Sequence, residues 1–74
     1  MPTLKDFGSF VIRMFFQDHN PPHVHVISPD YEALVSIADG VIFLGSIDSK
    51  HRQKALAWIE ENREMLTQKW EKWQ

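Results

Sequence analysis

Three of the four histidines in this 74-residue chain fall in one stretch, Asp18-His19-Asn20-Pro21-Pro22-His23-Val24-His25-Val26. Imidazole can exchange a proton near neutral pH, and it is a common ligand for zinc, copper, nickel and iron. Two consecutive prolines block helix and central strand alike, because neither ring nitrogen can donate a backbone hydrogen bond. The stretch therefore reads as a stiff loop that delivers His23-Val24-His25 into a strand. Side chains alternate faces along a strand, so His23 and His25 point the same way, roughly 6.6 Å apart along the backbone.

Three chemistries are open to this cluster. His19, His23 and His25 could ligate a divalent metal such as zinc, with Asp18 as an alternative third ligand across the loop. Without a metal, His23 and His25 could act as acid and base in phosphate cleavage, the chemistry of a ribonuclease-like toxin. Asp18 would then orient one imidazole, and Arg13 or Lys50 would meet a phosphate or oxyanion. The plainer alternative is that Asp18 and His19 hydrogen-bond the loop backbone while His23 and His25 fill a half-buried polar strip. On the residue types alone all three stay open, and so does the question of whether the chain is an enzyme.

The elements that must hold this loop follow from periodicity. Phe7 to Gln17 is rich in β-branched and aromatic residues, with Phe10, Ile12, Met14 and Phe16 on one face. The expected strands are about 7–17, 23–28, 31–38 and 41–47. Asp39-Gly40 is a strong signal for a two-residue hairpin turn. Closing there sets Ala38 opposite Val41, Ile37 opposite Ile42 and Val35 opposite Leu44. From about 49 to 73 the chain reads as one helix, capped by Asp48 or Ser49. Its stripe is Ala55, Trp58, Ile59, Asn62, Met65, Leu66, Trp70 and Trp73, with Asn62 the one polar member. The expectation is a single α+β domain over 1–74, a two-layer sandwich of a four-stranded antiparallel sheet and one C-terminal helix.

One helix covers one sheet face. The other should carry Val11, Arg13, Phe15, His23, His25, Ile27, Leu34, Ser36, Val41 and Phe43, and an open apolar patch usually marks a partner surface. Lys50, Arg52 and Lys54 crowd the first helical turn, where the helix dipole disfavours cations, which hints at RNA or an acidic partner. A solvated basic end is the plainer reading there. Trp58 and Trp70, at helical spacing, read as core.

The totals narrow the classes. A formal net charge of −2 argues against a general nucleic-acid binder, and the lack of cysteine excludes disulfides and thiolate zinc sites. With 43% hydrophobic residues the chain is a folder. It shows no signal-peptide pattern and no apolar run of membrane-spanning length, so a cytoplasmic protein without membrane contact is expected. A domain this short buries only about 60% of its unfolded surface, which makes homo-oligomerisation a common remedy.

These motifs together resemble a small bacterial family known as domain of unknown function 4160. The resemblance runs through Met1-Pro2-Thr3, Phe7-Gly8, Met14-Phe15-Phe16, the D-H-x-P-P-H-x-H core from Asp18 to His25, Gly45, and Trp58…Asn62-Arg63-Glu64-Met65-Leu66…Trp70. It covers nearly the whole chain. Val24 stands where an aromatic is common, and Met65 precedes Leu66 where an acidic residue is usual. The family has no settled activity. Its members are similar to proteins encoded beside another short protein, an arrangement that implies a toxin–antitoxin-like pair. Resemblance and patch together lead to a protein-interaction module docking through the open face, with Phe15, Ile27, Leu34 and Phe43 at its centre.

Overall fold

The computed structural model describes residues 3–74; Met1 and Pro2 of the family pattern lie outside them. Five strands are formed, β1 Thr3–Asp6, β2 Val11–Arg13, β3 His23–Ser28, β4 Tyr31–Ser36 and β5 Ile42–Gly45. Two helices follow, α1 Ser49–Glu61 and α2 Arg63–Trp73. The strands lie in chain order in one antiparallel sheet, a meander. Ile12, Val24, Val26, Ala33 and Val35 on one face join Ala55, Ile59, Leu66 and Trp70 of the helices in a single core. The α+β architecture and its period-two burial are as the sequence implies, while the element count is not.

The expected strand 7–17 is a strand only over Val11–Arg13. Gly8 takes φ +92, its N–H is bonded by the Asp6 carboxylate at 2.7 Å, and the Phe7 N–H bonds the Phe10 carbonyl. That tight turn folds Thr3–Asp6 back as β1. Thr3, Lys5 and Asp6 are exposed, so β1 has no apolar alternation to betray it. Beyond Met14 the chain leaves the sheet, and Phe16 is exposed.

The hairpin register also differs. Val35 sits opposite Ile42 and Leu34 opposite Leu44, with a bulge between them. The turn closes one step wider than two residues, with the Ser36 N–H on the Val41 carbonyl at 2.9 Å and the Gly40 N–H on the Ser36 carbonyl at 2.8 Å, while the Ile37 N–H extends the β3–β4 ladder to the Pro22 carbonyl at 3.0 Å. Ile37 is thereby buried, and Leu44 moves to the other face, 62% exposed. The expected single helix over 49–73 is divided into α1 and α2. Asn62, at φ −112, ends α1, and its side-chain amide donates to the Trp58 carbonyl at 2.8 Å. A short polar side chain that competes for the backbone in this way ends one helix and starts the next. Asp48 does cap α1, accepting from the Lys50 N–H. No helix among the described residues is long and apolar enough to cross a membrane.

Candidate functional site

β3 alternates Val24 and Val26 into the core, which turns His23 and His25 to the opposite face. The chain between Met14 and Pro22 crosses that face and lays Asp18 over both rings. Asp18 Oδ2 stands 3.0 Å from Nε2 of His23 and 3.0 Å from Nε2 of His25. The other nitrogens are engaged as well. His23 Nδ1–H donates to the Pro21 carbonyl at 2.7 Å, and His25 Nδ1 lies 3.1 Å from Glu32 Oε2. Aromatic rings close the surroundings: Phe15 meets His25 edge-on at 4.2 Å, while Phe43 and Trp70 pack against His23 at 5.6 and 5.2 Å. His23 is only 4% exposed.

The ring protons do not satisfy these contacts. A carbonyl can only accept, so Nδ1 of His23 carries the hydrogen and its neutral ring presents a bare lone pair at Nε2. That lone pair faces a carboxylate oxygen. His25 lies between two carboxylates, so in its neutral form one of its contacts is likewise lone pair against lone pair. The arrangement is satisfied by an extra proton on each ring, or by one cation where the lone pairs converge. The ligand atoms of Asp18, His23 and His25 all lie within 4.8 Å of one another. Bonds of about 2.0–2.1 Å at tetrahedral angles put zinc ligands about 3.3 Å apart; the two Oδ2–Nε2 separations of 3.0 Å are near that value, and the widest pair of the cluster would have to draw inward on an ion. The Nδ1 contacts to Pro21 and Glu32 are those of metal-bound histidines, whose second nitrogen usually donates to a carbonyl or carboxylate.

Asp18 is positioned from far along the chain. Its N–H donates to the Gln74 side-chain oxygen, Gln74 Nε2 donates to the Phe15 carbonyl at 3.0 Å, and the Gln17 N–H bonds the Trp73 carbonyl. These contacts hold Gln17 at φ +56, a left-handed conformation that costs a non-glycine residue about 1–2 kcal/mol. The end of α2 thus clamps the loop that presents Asp18. Burial pushes the Asp18 carboxyl up, but hydrogen bonds from His25 and the His19 N–H, with the charge of both rings, outweigh it and hold the carboxyl below 3.8. Its pairing therefore stabilises the fold above pH 3.8 and is lost as pH falls further, through the lowered native value.

The structure brings some expected residues together and separates others. Asp18, His23 and His25 converge, whereas the His19 ring takes no part in the cluster, only its backbone N–H bonding Asp18 at 2.8 Å. Arg13 pairs with His25 across β2 and β3, so both occupy one face. Lys50, Arg52 and Lys54 lie elsewhere. Their neighbour His51 bonds the Tyr31 hydroxyl at 2.9 Å, at the far end of β3, roughly 16 Å along the strand from His23. His51 also contacts Ser9 Oγ, which ties two turns to α1. Phe15, Ile27 and Leu34 are half-buried, so of the expected patch Val41 and Phe43 stay exposed, joined by Leu44. Glu32 and Gln74 were not legible as site residues, since neither carries a local motif. Period two does put Glu32 on the His25 face, diagonal to it across β3–β4.

Fold and cluster define a small α+β domain that gathers two histidines and one carboxylate beneath a loop on the outer face of a meander sheet. The chain belongs to the family described as Domain of unknown function (DUF4160), whose pattern matches residues 9–71. The comparisons with curated proteins and with solved structures gave no significant match.

Proposed function

We propose that this domain binds one divalent transition-metal ion through His23 Nε2, His25 Nε2 and an Asp18 oxygen. The observation that carries the reading is the shared aim of two Nε2 atoms at one carboxylate oxygen while both Nδ1 atoms are held from behind. Two imidazoles and one carboxylate suit zinc or ferrous iron. Three protein ligands leave positions for water or substrate, as catalytic rather than structural sites do. An ion there would supply Lewis-acid chemistry or an activated water. The metal-free ribonuclease-like reading is supported less well, because both Nε2 atoms already face Asp18 and the basic cluster on α1 is remote.

Titrating zinc into protein free of any His-tag tests this. One site per chain is expected, with a rise in melting temperature. At a free zinc concentration about 100 times Kd the gain is about 2.7 kcal/mol, or on the order of 10–20 °C for a domain of this size. No saturable binding and no thermal shift would remove the proposal.

A second reading, an interaction module in a toxin–antitoxin-like pair, is supported by β5. Phe43 and Leu44 are 42% and 62% exposed on β5, an edge strand that carries no charge, and Val41 just before it is 52% exposed. Uncharged apolar edges invite strand pairing with another chain, either a second copy or the small neighbouring protein. Light scattering of the chain alone and co-expressed with that neighbour should give a mass above the monomer in one case. A monomer in both would discard this reading.

A further inference from the structure

We infer that the metal centre takes a small organic acid, its carboxylate on the ion and on Arg13 and its short apolar body across Leu34 and Leu44. This inference rests on the metal reading above. Three observations carry it. First, among the described residues Arg13 has no carboxylate within ion-pair distance, and its buried Nε has no hydrogen-bond partner. That nitrogen is itself closed to a ligand, but Arg13 is half-buried, and an anion at its terminal nitrogens would offset the cost of the unpaired charge.

Second, the strand pairings place Arg13, His25, Leu34 and Leu44 in one transverse row over β2 to β5. Neighbouring strands lie about 4.8 Å apart, so the row spans about 14 Å, with the imidazole of His25 next to the cation. A groove of about 320 Å³ opens on the apolar side, lined by His25, Glu32, Leu34 and Leu44. It has room for a chain of a few carbons. Third, the charges decide the sign of the ligand. Asp18 and Glu32 bring two negative charges, Arg13 one positive and a divalent ion two, which leaves one positive charge for an anion. Without the ion, and with both imidazoles unprotonated, the balance is negative, so under those conditions acid binding requires metal.

A bare phosphate would satisfy the cations but would leave Leu34 and Leu44 uncovered. The competing probes are accordingly acetate, inorganic phosphate and 4-methylpentanoate, titrated by calorimetry into the zinc-loaded and metal-free protein. The expected result is 4-methylpentanoate binding at least tenfold tighter than acetate or phosphate, and only in the loaded protein. Arg13→Gln should weaken all three anions by tenfold or more while zinc affinity stays within about twofold. Leu44→Ser, at an exposed position, should weaken 4-methylpentanoate alone. Equal binding of acetate and 4-methylpentanoate, tighter phosphate binding, or indifference to Arg13→Gln in a zinc-loaded protein would overturn the organic-acid inference and leave the metal centre standing. Failure to load zinc would overturn both.

Discussion

Asp18→Asn should lower zinc affinity by more than about 100-fold and leave the metal-free fold intact. The amide matches the carboxylate in size. Its oxygen can still accept the His19 N–H that Asp18 Oδ1 accepts at 2.8 Å. Its NH2 group would stand where Oδ2 lies, 3.0 Å from both Nε2 atoms, and could donate to each lone pair. The apo protein thus exchanges a charged contact for neutral hydrogen bonds, and its melting temperature should move by only a few degrees. The ion, in contrast, loses its one anionic ligand and meets an N–H pointing at it. Changing a residue behind a metal ligand costs about 10–100-fold in affinity, so removal of a ligand should exceed the upper end. Zinc affinity and melting temperature, measured on the same preparation, separate the two effects. Unchanged affinity would mean that Asp18 is a hydrogen-bond partner of the histidines and nothing more.

The second large effect concerns the fold. Gly45→Ala should lose several kcal/mol and leave much of the chain unfolded at 25 °C. A methyl group at Gly45 would lie 2.1 Å from the Glu32 carbonyl oxygen and 3.1 Å from the Ala33 Cα, and Gly45 sits at φ +77. Both obstacles are backbone, so no side chain can move aside. β5 would have to detach from β4, which exposes Ile42 and disturbs the strand that carries Glu32. A 74-residue domain has total stability on the order of 5 kcal/mol, so the loss is a large share of it. Gly8→Ala is the control. Gly8 also has positive φ, but nothing lies within 4 Å of the added carbon, so its cost is the conformational term alone, about 1–2 kcal/mol. Urea unfolding of both variants measures the difference. Equal losses would show that β5 is not held against β4 at Gly45.

The parts of this architecture that follow from short-range periodicity were legible. Alternation along β3 and β4 put Val24, Val26 and Val35 in the core and both histidines on the other face, because side-chain direction in a strand depends only on parity. The hairpin register was not legible, because Ser36 rather than Ala38 closes on Val41, and a bulge then shifts Leu34 onto Leu44, neither of which the Asp39-Gly40 turn signal specifies. The helix break was half legible. Asn62 stood out as the polar residue in an apolar stripe, but its reach to the Trp58 carbonyl is a choice between two local hydrogen bonds that spacing does not decide. The site divides in the same way. Two rings on one face come from sequence alone, and the carboxylate that joins them comes from a loop held by Gln74, 56 residues away. Contacts of that separation have no signature in a single sequence. His19, adjacent to Asp18, looked equivalent to it, yet the left-handed Gln17 and the turn through Pro22 aim only Asp18 at the sheet.

The most direct measurement is the long-range 1H–15N correlation spectrum of the histidine side chains, recorded as zinc is added to protein free of any His-tag. On addition of one equivalent, His23 and His25 should both show metal-bound Nε2 and protonated Nδ1, the tautomer that the Pro21 and Glu32 contacts impose. His19 and His51 should stay unchanged. Rings of His23 and His25 that ignore zinc, or that take it through Nδ1, would contradict the assignment of this face as a metal centre.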